Sequence, residues 1–238
     1  MHSIVLSKRL QTIADMITKG YRICDIGCDH AHIAIYLVEK GIAPHAIAMD
    51  INVGPLERAR EHVAAHKLAG KIEIRQSDGF AALRLDEADA VIIAGMGGRL
   101  IQAILADASV KTSCLKEIIL GPQSEIPAFR RFLRMSGFQT LREELVVEGD
   151  KYYPIIKVAP GAINAKETES TIIADCYGQI PLRERNPILL MYLKQEQRVT
   201  LEIIKKINNR SYLNKKNEMK LYEMQKKAAE LADLIDLW

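Results

Sequence analysis

Five short apolar runs, YRICDI, AIAMDI, KIEIRQ, ADAVIIAG and KEIILG, constrain this chain more than any other feature. They are rich in Ile, Val and Ala, and each closes on Gly, Asp or a turn. That is the pattern of strands buried on both faces of a parallel sheet. Between them AHIAIYLVEKG, GPLERAREHVAAHKLAG, GGRLIQAILADA and SEIPAFRRFLRMSG carry apolar residues at helical spacing. Three of these four end at or beside a glycine, a common helix stop. Strands alternating with helices predict a doubly wound α/β sheet over the first 160 residues. FQTLREELVVEGDKYYPIIKVAP then predicts two strands around the turn EGDK, an antiparallel hairpin that finishes the sheet.

PGAINAKETES, at 160–170, is small and polar and predicts a boundary between a domain of residues 1–160 and a helical one of 161–238. Beyond it, NPILLMYLKQEQRVTLEIIKKIN and NEMKLYEMQKKAAELADLIDLW are amphipathic, with a break expected near NNRSYLNKKN. Leu189, Tyr192, Val199, Ile203 and Ile207 are placed to meet Leu221, Met224, Ala228, Leu231 and Ile235 in an antiparallel, coiled-coil-like hairpin. Charge separates the two parts. Residues 1–161 carry 20 Lys and Arg against 19 Asp and Glu, whereas Arg183–Lys227 carries 12 against 5. A cationic face of that kind suits a polyanion, although solvated basic helices are common. No apolar run is long enough to span a bilayer, and charges interrupt any signal-like segment at the N-terminus. Four cysteines in 238 residues form no disulfide framework, so a reducing cytoplasm is expected.

In open α/β sheets, ligands bind outside the carboxyl ends of the strands. The first strand leads into CDIGCDHAHIA, residues 24–34, where Cys24, Asp25, Cys28, Asp29, His30 and His32 crowd together. A metal cluster is not expected there. Cys24 belongs to a buried strand, His32 to the following helix, and no second C-x-x-C or H-x₃₋₅-H completes a tetrahedral set. Gly27 permits a tight turn and close backbone approach to a ligand. Asp50, at the end of the second strand, can accept hydrogen bonds from both hydroxyls of a ribose. Ser77-Asp78-Gly79, Ala94-Gly95-Met96-Gly97-Gly98 and Gly121-Pro122-Gln123-Ser124 close the next three strands. With Gly27 alone in the first loop, the G-x-G-x-x-G fingerprint of a dinucleotide is missing, as is G-x-x-x-x-G-K-[ST] for a triphosphate. S-adenosylmethionine has no phosphate and needs carboxylates, a close backbone and an adenine slot. It matches better.

DIGCDHAHI resembles the first motif of class I S-adenosylmethionine methyltransferases, with Asp29 where the second glycine of D/E-x-G-x-G-x-G would stand. The set DIGCDHAHIA, AMDINVGPLERAR, SDGF, IIAGMGG, GPQSEIPAFRRFL and EGDKYYPII is similar to the bacterial tRNA (adenine-22-N1)-methyltransferases, the TrmK family, along the whole chain. Cys28 and Ala31-His32 depart from the small residues and aromatic expected there. The resemblance implies a Rossmann-like catalytic domain and methyl transfer to N1 of an adenine in the D-loop region of tRNA. It also implies cofactor contacts at Asp25, Gly27, Asp50, Ile51, Asp78, Gly79, Gly95, Met96 and Gly97. Substrate contacts are expected at Gly98, Gln123, Arg130, Arg131 and Arg134. Asp29 and His30 are the catalytic candidates, to stabilise the cationic product or move a proton. AGMGG stands where N/D-P-P-Y/F marks enzymes acting on exocyclic amines, which argues for a ring nitrogen. The expected partner is tRNA, with no membrane and no metal, and a monomer is the expected state. The alternatives are a methyltransferase for another RNA or a small molecule, and a non-catalytic RNA-binding protein.

Overall fold

The computed structural model of the protein describes residues 4–161, 172–209 and 214–238. Seven strands form one sheet: β1 (Ile23–Ile26), β2 (Ala46–Asp50), β3 (Ile72–Gln76), β4 (Ala90–Ala94), β5 (Glu117–Gly121), β6 (Phe138–Glu148) and β7 (Lys151–Pro160). Their order is β3-β2-β1-β4-β5-β7-β6. The first five are parallel, and β7 runs antiparallel to both β5 and β6. The chain moves outward from β1 through β2 to β3 and then returns to β4 on the other side. That reversal puts a topological switch point between β1 and β4, where a crevice opens at the strands' carboxyl ends.

The helices are α1 (Lys8–Met16), α2 (His32–Glu39), α3 (Val53–Ala65), α4 (Gly98–Ala106), α5 (Ser109–Ser113), α6 (Ile126–Met135), α7 (Ile172–Tyr177), α8 (Gln179–Arg183), α9 (Pro187–Asn208) and α10 (Lys215–Ile235). Every residue of β1 is buried, and the period-2 alternation of strands divides its side chains between two cores. Ile23, Ala48 and Ile92 pack with Ile13, Leu37 and Leu56 on the α1–α3 side. Cys24, Met49 and Ile93 pack with Ile101, Leu105 and Phe129 on the α4–α6 side. The thiol of Cys24 is fully buried, in keeping with its expected place in a strand.

Helix α1 was not among the expected helices. Ser7 caps it by accepting from the Leu10 N–H at 3.4 Å, and Ile13, Ala14 and Met16 anchor it in the core.

The residues fall into two compact units, Met1–Ile180 and Pro181–Trp238. The expected boundary at 160 marks the end of β7, and most of PGAINAKETES lies outside the described residues. The first unit reaches further because α7 is tied to α6. Arg130 pairs with Glu143 at 2.7 Å and donates to the carbonyls of Asp175 and Cys176 at 2.9 and 2.7 Å. These carbonyls lie at the C-terminus of α7, where a cation is favourable.

In the second unit α9 and α10 pack together. The buried residues are Leu189, Leu193, Thr200 and Ile207 on α9 and Leu231 and Leu234 on α10. Leu189, Ile207 and Leu231 are buried as expected, Leu193 and Thr200 join them, and Val199 is exposed instead. The break expected near NNRSYLNKKN partly lies outside the described residues.

Candidate functional site

A cavity of about 430 Å³ opens at the switch point. Its lining brings together eight of the expected site residues: Asp25, Gly27, Asp29, His30, Asp50, Gly95, Met96 and Gln123. It also includes Arg9, Leu10, Cys28, His32 and Ile33, which sequence reasoning did not assign to the site.

The loop after β1 turns through three left-handed residues in five positions, Gly27 (φ 77°), Asp29 (φ 49°) and Ala31 (φ 58°). Aspartate tolerates this region, whereas alanine occupies it at a cost. The N–H groups of Gly27 and Cys28 both donate to the Met49 carbonyl, at 2.8 and 3.0 Å, and hold the loop over β2. This position favours glycine for its backbone angle, and a Cβ there would also push aside the methyl end of Met96.

Three carboxylates face the cavity in different states. Asp25 is 5% exposed, and its pKa is pushed up to about 7 by burial and secondarily by the Asp50 charge. Asp50 uses Oδ1 to accept from the Asn52 backbone and side chain, at 2.9 and 3.3 Å, leaving its other oxygen open to a ligand. The Asp29 side chain is 70% exposed and stands 3.4 Å from His30 Nε2.

His30 belongs to a cluster that the sequence did not disclose. The rings of His30, His32 and His62 lie 5.2–5.5 Å apart, centroid to centroid. His62 comes from α3, so no local motif could announce it. Burial and the neighbouring His62 and His30 lower the pKa of His32. Arg58 Nε donates to His30 Nδ1 at 3.3 Å. That nitrogen is therefore the acceptor, which directs the Nε2 proton of the neutral ring towards Asp29.

The other expected residues lie outside the cavity lining. Ile51, Asp78 and Gly79 occupy the ends of β2 and β3, with Ile51 and Asp78 exposed. Ser77, beside them, is buried and donates to the Gly79 carbonyl at 2.8 Å. Gly97 caps α4. Gly98 is buried, and a Cβ there would lie 2.5 Å from the Ser124 carbonyl and 3.3 Å from Phe129. Its absent side chain serves the packing of α4 against α6. Arg130 and Arg134, expected to contact substrate, are both engaged in ion pairs within the protein. Arg130 is committed to Glu143 and α7, and Arg134 pairs with Asp175. Arg131 is exposed. Among the described residues, no group of three or more His, Cys, Asp or Glu is arranged to hold a metal, and no helix is long and apolar enough to cross a membrane.

Residues 6–156 match the model of a methyltransferase domain. The tRNA (adenine(22)-N(1))-methyltransferase of Bacillus subtilis is 32% identical over 237 residues, 99% of either chain. The chain belongs to the tRNA (adenine(22)-N(1))-methyltransferase family. The B. subtilis family member's solved structure superposes with a TM-score of 0.81, covering 98% of this chain and 99% of that one. A Streptococcus pneumoniae protein solved with S-adenosyl-L-methionine superposes at 0.82, with 28% identity over 97% of this chain and 100% of its own. TrmK of M. capricolum, solved with S-adenosylhomocysteine, gives 0.79 at 27% identity over 99% of each chain. The fold and the methyltransferase reading of the strand-end motifs are those expected from the sequence.

Proposed function

We propose that this chain is an S-adenosylmethionine-dependent methyltransferase that methylates N1 of adenine 22 in tRNA. The observation that carries the reading is the switch-point cavity, lined by three carboxylates and a glycine turn, in a chain matched end to end by a tRNA (adenine(22)-N(1))-methyltransferase. The lining fits the cofactor because it offers carboxylates to a ribose and an ammonium and a close backbone at Gly27, without a phosphate cradle. Asp50 would hold the ribose and Asp25 the ammonium. Ile51, Asp78 and Gly79 would border the adenine, and Gly95 to Gly97 would close the cofactor's other side. When bound, S-adenosylmethionine supplies a methyl group activated by its sulfonium.

The protein's own task is then alignment and charge. Adenine N1 already carries its lone pair, so proximity can account for much of the rate, up to about 7–11 kcal/mol of barrier. Asp29 reaches into the cavity from an exposed position and would offset the positive charge that develops on the base. His30 would orient Asp29, because its accepting nitrogen is already engaged by Arg58. Gln123, fixed by its N–H to the Met96 carbonyl at 2.9 Å, would border the target base. The base must leave its stack to enter, which is cheaper in a loop. Arg131 and the basic helices α9 and α10 would meet the tRNA phosphates. We place the activity in the cytoplasm and in a monomer, with residues 1–160 catalytic and 161–238 the RNA-gripping arm.

The test uses unmodified tRNA and radiolabelled cofactor, followed by mapping of reverse-transcription stops. N1-methyladenine blocks Watson–Crick pairing, so label and a stop one nucleotide short of adenine 22 are expected. Label without that stop refutes the proposed position, and no label on tRNA refutes the substrate class.

A further inference from the structure

Helix α3 lies outside the cavity lining, yet it grips the loop that follows β1. Arg58 and His62 stand four residues apart, on one face of the helix. Both reach His30. Arg58 Nε donates to the ring Nδ1 at 3.3 Å, and His62 Nδ1 lies 3.3 Å from the backbone carbonyl. A carbonyl only accepts, so Nδ1 of His62 carries the proton and donates. The His62 ring also stacks on that of His32, with centroids 5.2 Å apart and planes 15° from parallel. Leu56, Ala59 and Val63 bury the same helix in the core, so the grip comes from a fixed element.

What α3 holds is a strained segment. Asp29 and Ala31, on either side of His30, are both left-handed. Non-glycine residues persist in that region only where their surroundings fix them. The bonds from Gly27 and Cys28 to the Met49 carbonyl secure the start of the loop, and α2 begins at His32. His30 lies between these anchors, and Asp29 precedes it in the cavity wall with a largely exposed side chain. We propose that His62 is a positioning residue: by holding the His30 carbonyl it keeps the loop in the shape that presents Asp29 to the target base. The inference rests on the function proposed above, and it gives His62 no contact with substrate or cofactor. His62 is singled out within the histidine cluster because its hydrogen bond goes to the backbone, where it acts on the shape of the loop itself.

The experiment compares wild type, H62F and H62N in methylation of unmodified tRNA and in calorimetric binding of S-adenosylhomocysteine. Phenylalanine keeps a ring to stack and loses the donor, whereas asparagine keeps a donor near the place of Nδ1 and loses the ring. H62F is expected to lower kcat about tenfold, since a small misplacement of a reacting group is costly. KM for tRNA and the affinity for S-adenosylhomocysteine should stay within about twofold of wild type. H62N should recover kcat to within about threefold. In a D29N background H62F should change kcat by no more than about twofold, because both substitutions then act on one group. If H62F does not fold, H62A takes its place. Unaltered kcat in H62F overturns the proposal, and so does H62N as slow as H62F, which leaves only stacking. An undiminished loss in the D29N background overturns it too, because the histidine then acts elsewhere. A raised KM for tRNA would make His62 an RNA contact, and weaker S-adenosylhomocysteine binding would make it a prop of the cofactor pocket; either result sinks the proposal. Wild-type protein that leaves tRNA unlabelled overturns the proposed function and this inference with it, whereas the other failures, seen with active wild type, leave that function standing.

Discussion

Arg9 and Arg130 are both at most one-fifth exposed, yet they sit in opposite circumstances. Arg130 is saturated: Glu143, itself buried, takes two of its donors, and the carbonyls ending α7 take another. Arg9 has a carboxylate nearby, but Nε and Nη1 have no acceptor. The first arrangement is complete, and the second is not. Arg130 thus follows the rule that buried polar groups are hydrogen-bonded, and Arg9 is one of its exceptions, as is the Nε of Arg134.

The largest effect should come from opening the closed site. R130M leaves Glu143 buried without its cation, so a loss of about 3–5 kcal/mol is expected in denaturant unfolding. Burial already pushes the Glu143 pKa up, so the loss should shrink at acid pH, where that carboxyl takes a proton. The folded fraction should still bind S-adenosylhomocysteine normally. A variant with wild-type stability would end the contrast between the two arginines.

Asp25 sharpens the contrast from the acidic side. D25N should weaken S-adenosylhomocysteine binding about 100-fold, the loss of a buried charge pair. It should also stabilise the ligand-free protein at pH 8. The folded pKa of about 7 exceeds the ordinary value of 3.8, so the folded state keeps a proton that the unfolded state releases. Stability conferred by that proton is full below the unfolded pKa and is lost as pH rises through about 7. D25N should flatten that slope in unfolding measured from pH 4 to 8. Binding has the opposite sign, because an ammonium favours ionised Asp25. Wild-type affinity for S-adenosylhomocysteine should rise about tenfold from pH 6 to pH 8, and that of D25N should not.

Arg131 lies beside Arg130 on α6 but is exposed. R131A should leave stability within about 0.5 kcal/mol of wild type. It should lower tRNA affinity about threefold at low salt, with the difference fading as salt rises. Equal affinities at low salt would remove Arg131 from the proposed RNA contacts.

Much of this was legible in the sequence where the signal is local. Periodicity revealed the five parallel strands, the hairpin and the helices between them. The strand-end residues Asp25, Gly27 and Asp50 follow from the rule that ligands sit at carboxyl ends. Pairings across the fold were not legible. ERAREHV, which contains His62, reads as ordinary amphipathic helix, and nothing local says that its histidine meets two others. Arg9 lies in KRLQTIADM, a helix that sequence reading did not pick out although Ser7 caps it. Its cavity position depends on Glu148 and Tyr153, some 140 residues away. The three arginines of FRRFLRM look alike in sequence, and tertiary partners alone separate the two internal ones from the exposed one.

The smallest expected effect concerns His30, a titratable group at the cavity that invites a general-base reading. The geometry points elsewhere. Arg58 already donates to its Nδ1, so the neutral ring carries its proton on Nε2, facing Asp29. A base needs a free lone pair aimed at the proton to be taken, and this ring directs a donor into the site. Neutral adenine N1, moreover, has no proton to remove before it attacks. H30Q, which retains a donor, should therefore lower kcat by no more than about threefold and leave the acid limb of the pH–rate profile in place, whereas a true base would cost about 100-fold or more. D29N should cost more than H30Q, since Asp29 is the group proposed to face the developing charge. The reverse order, with the acid limb lost in H30Q, would make the histidine the acting group and Asp29 its support.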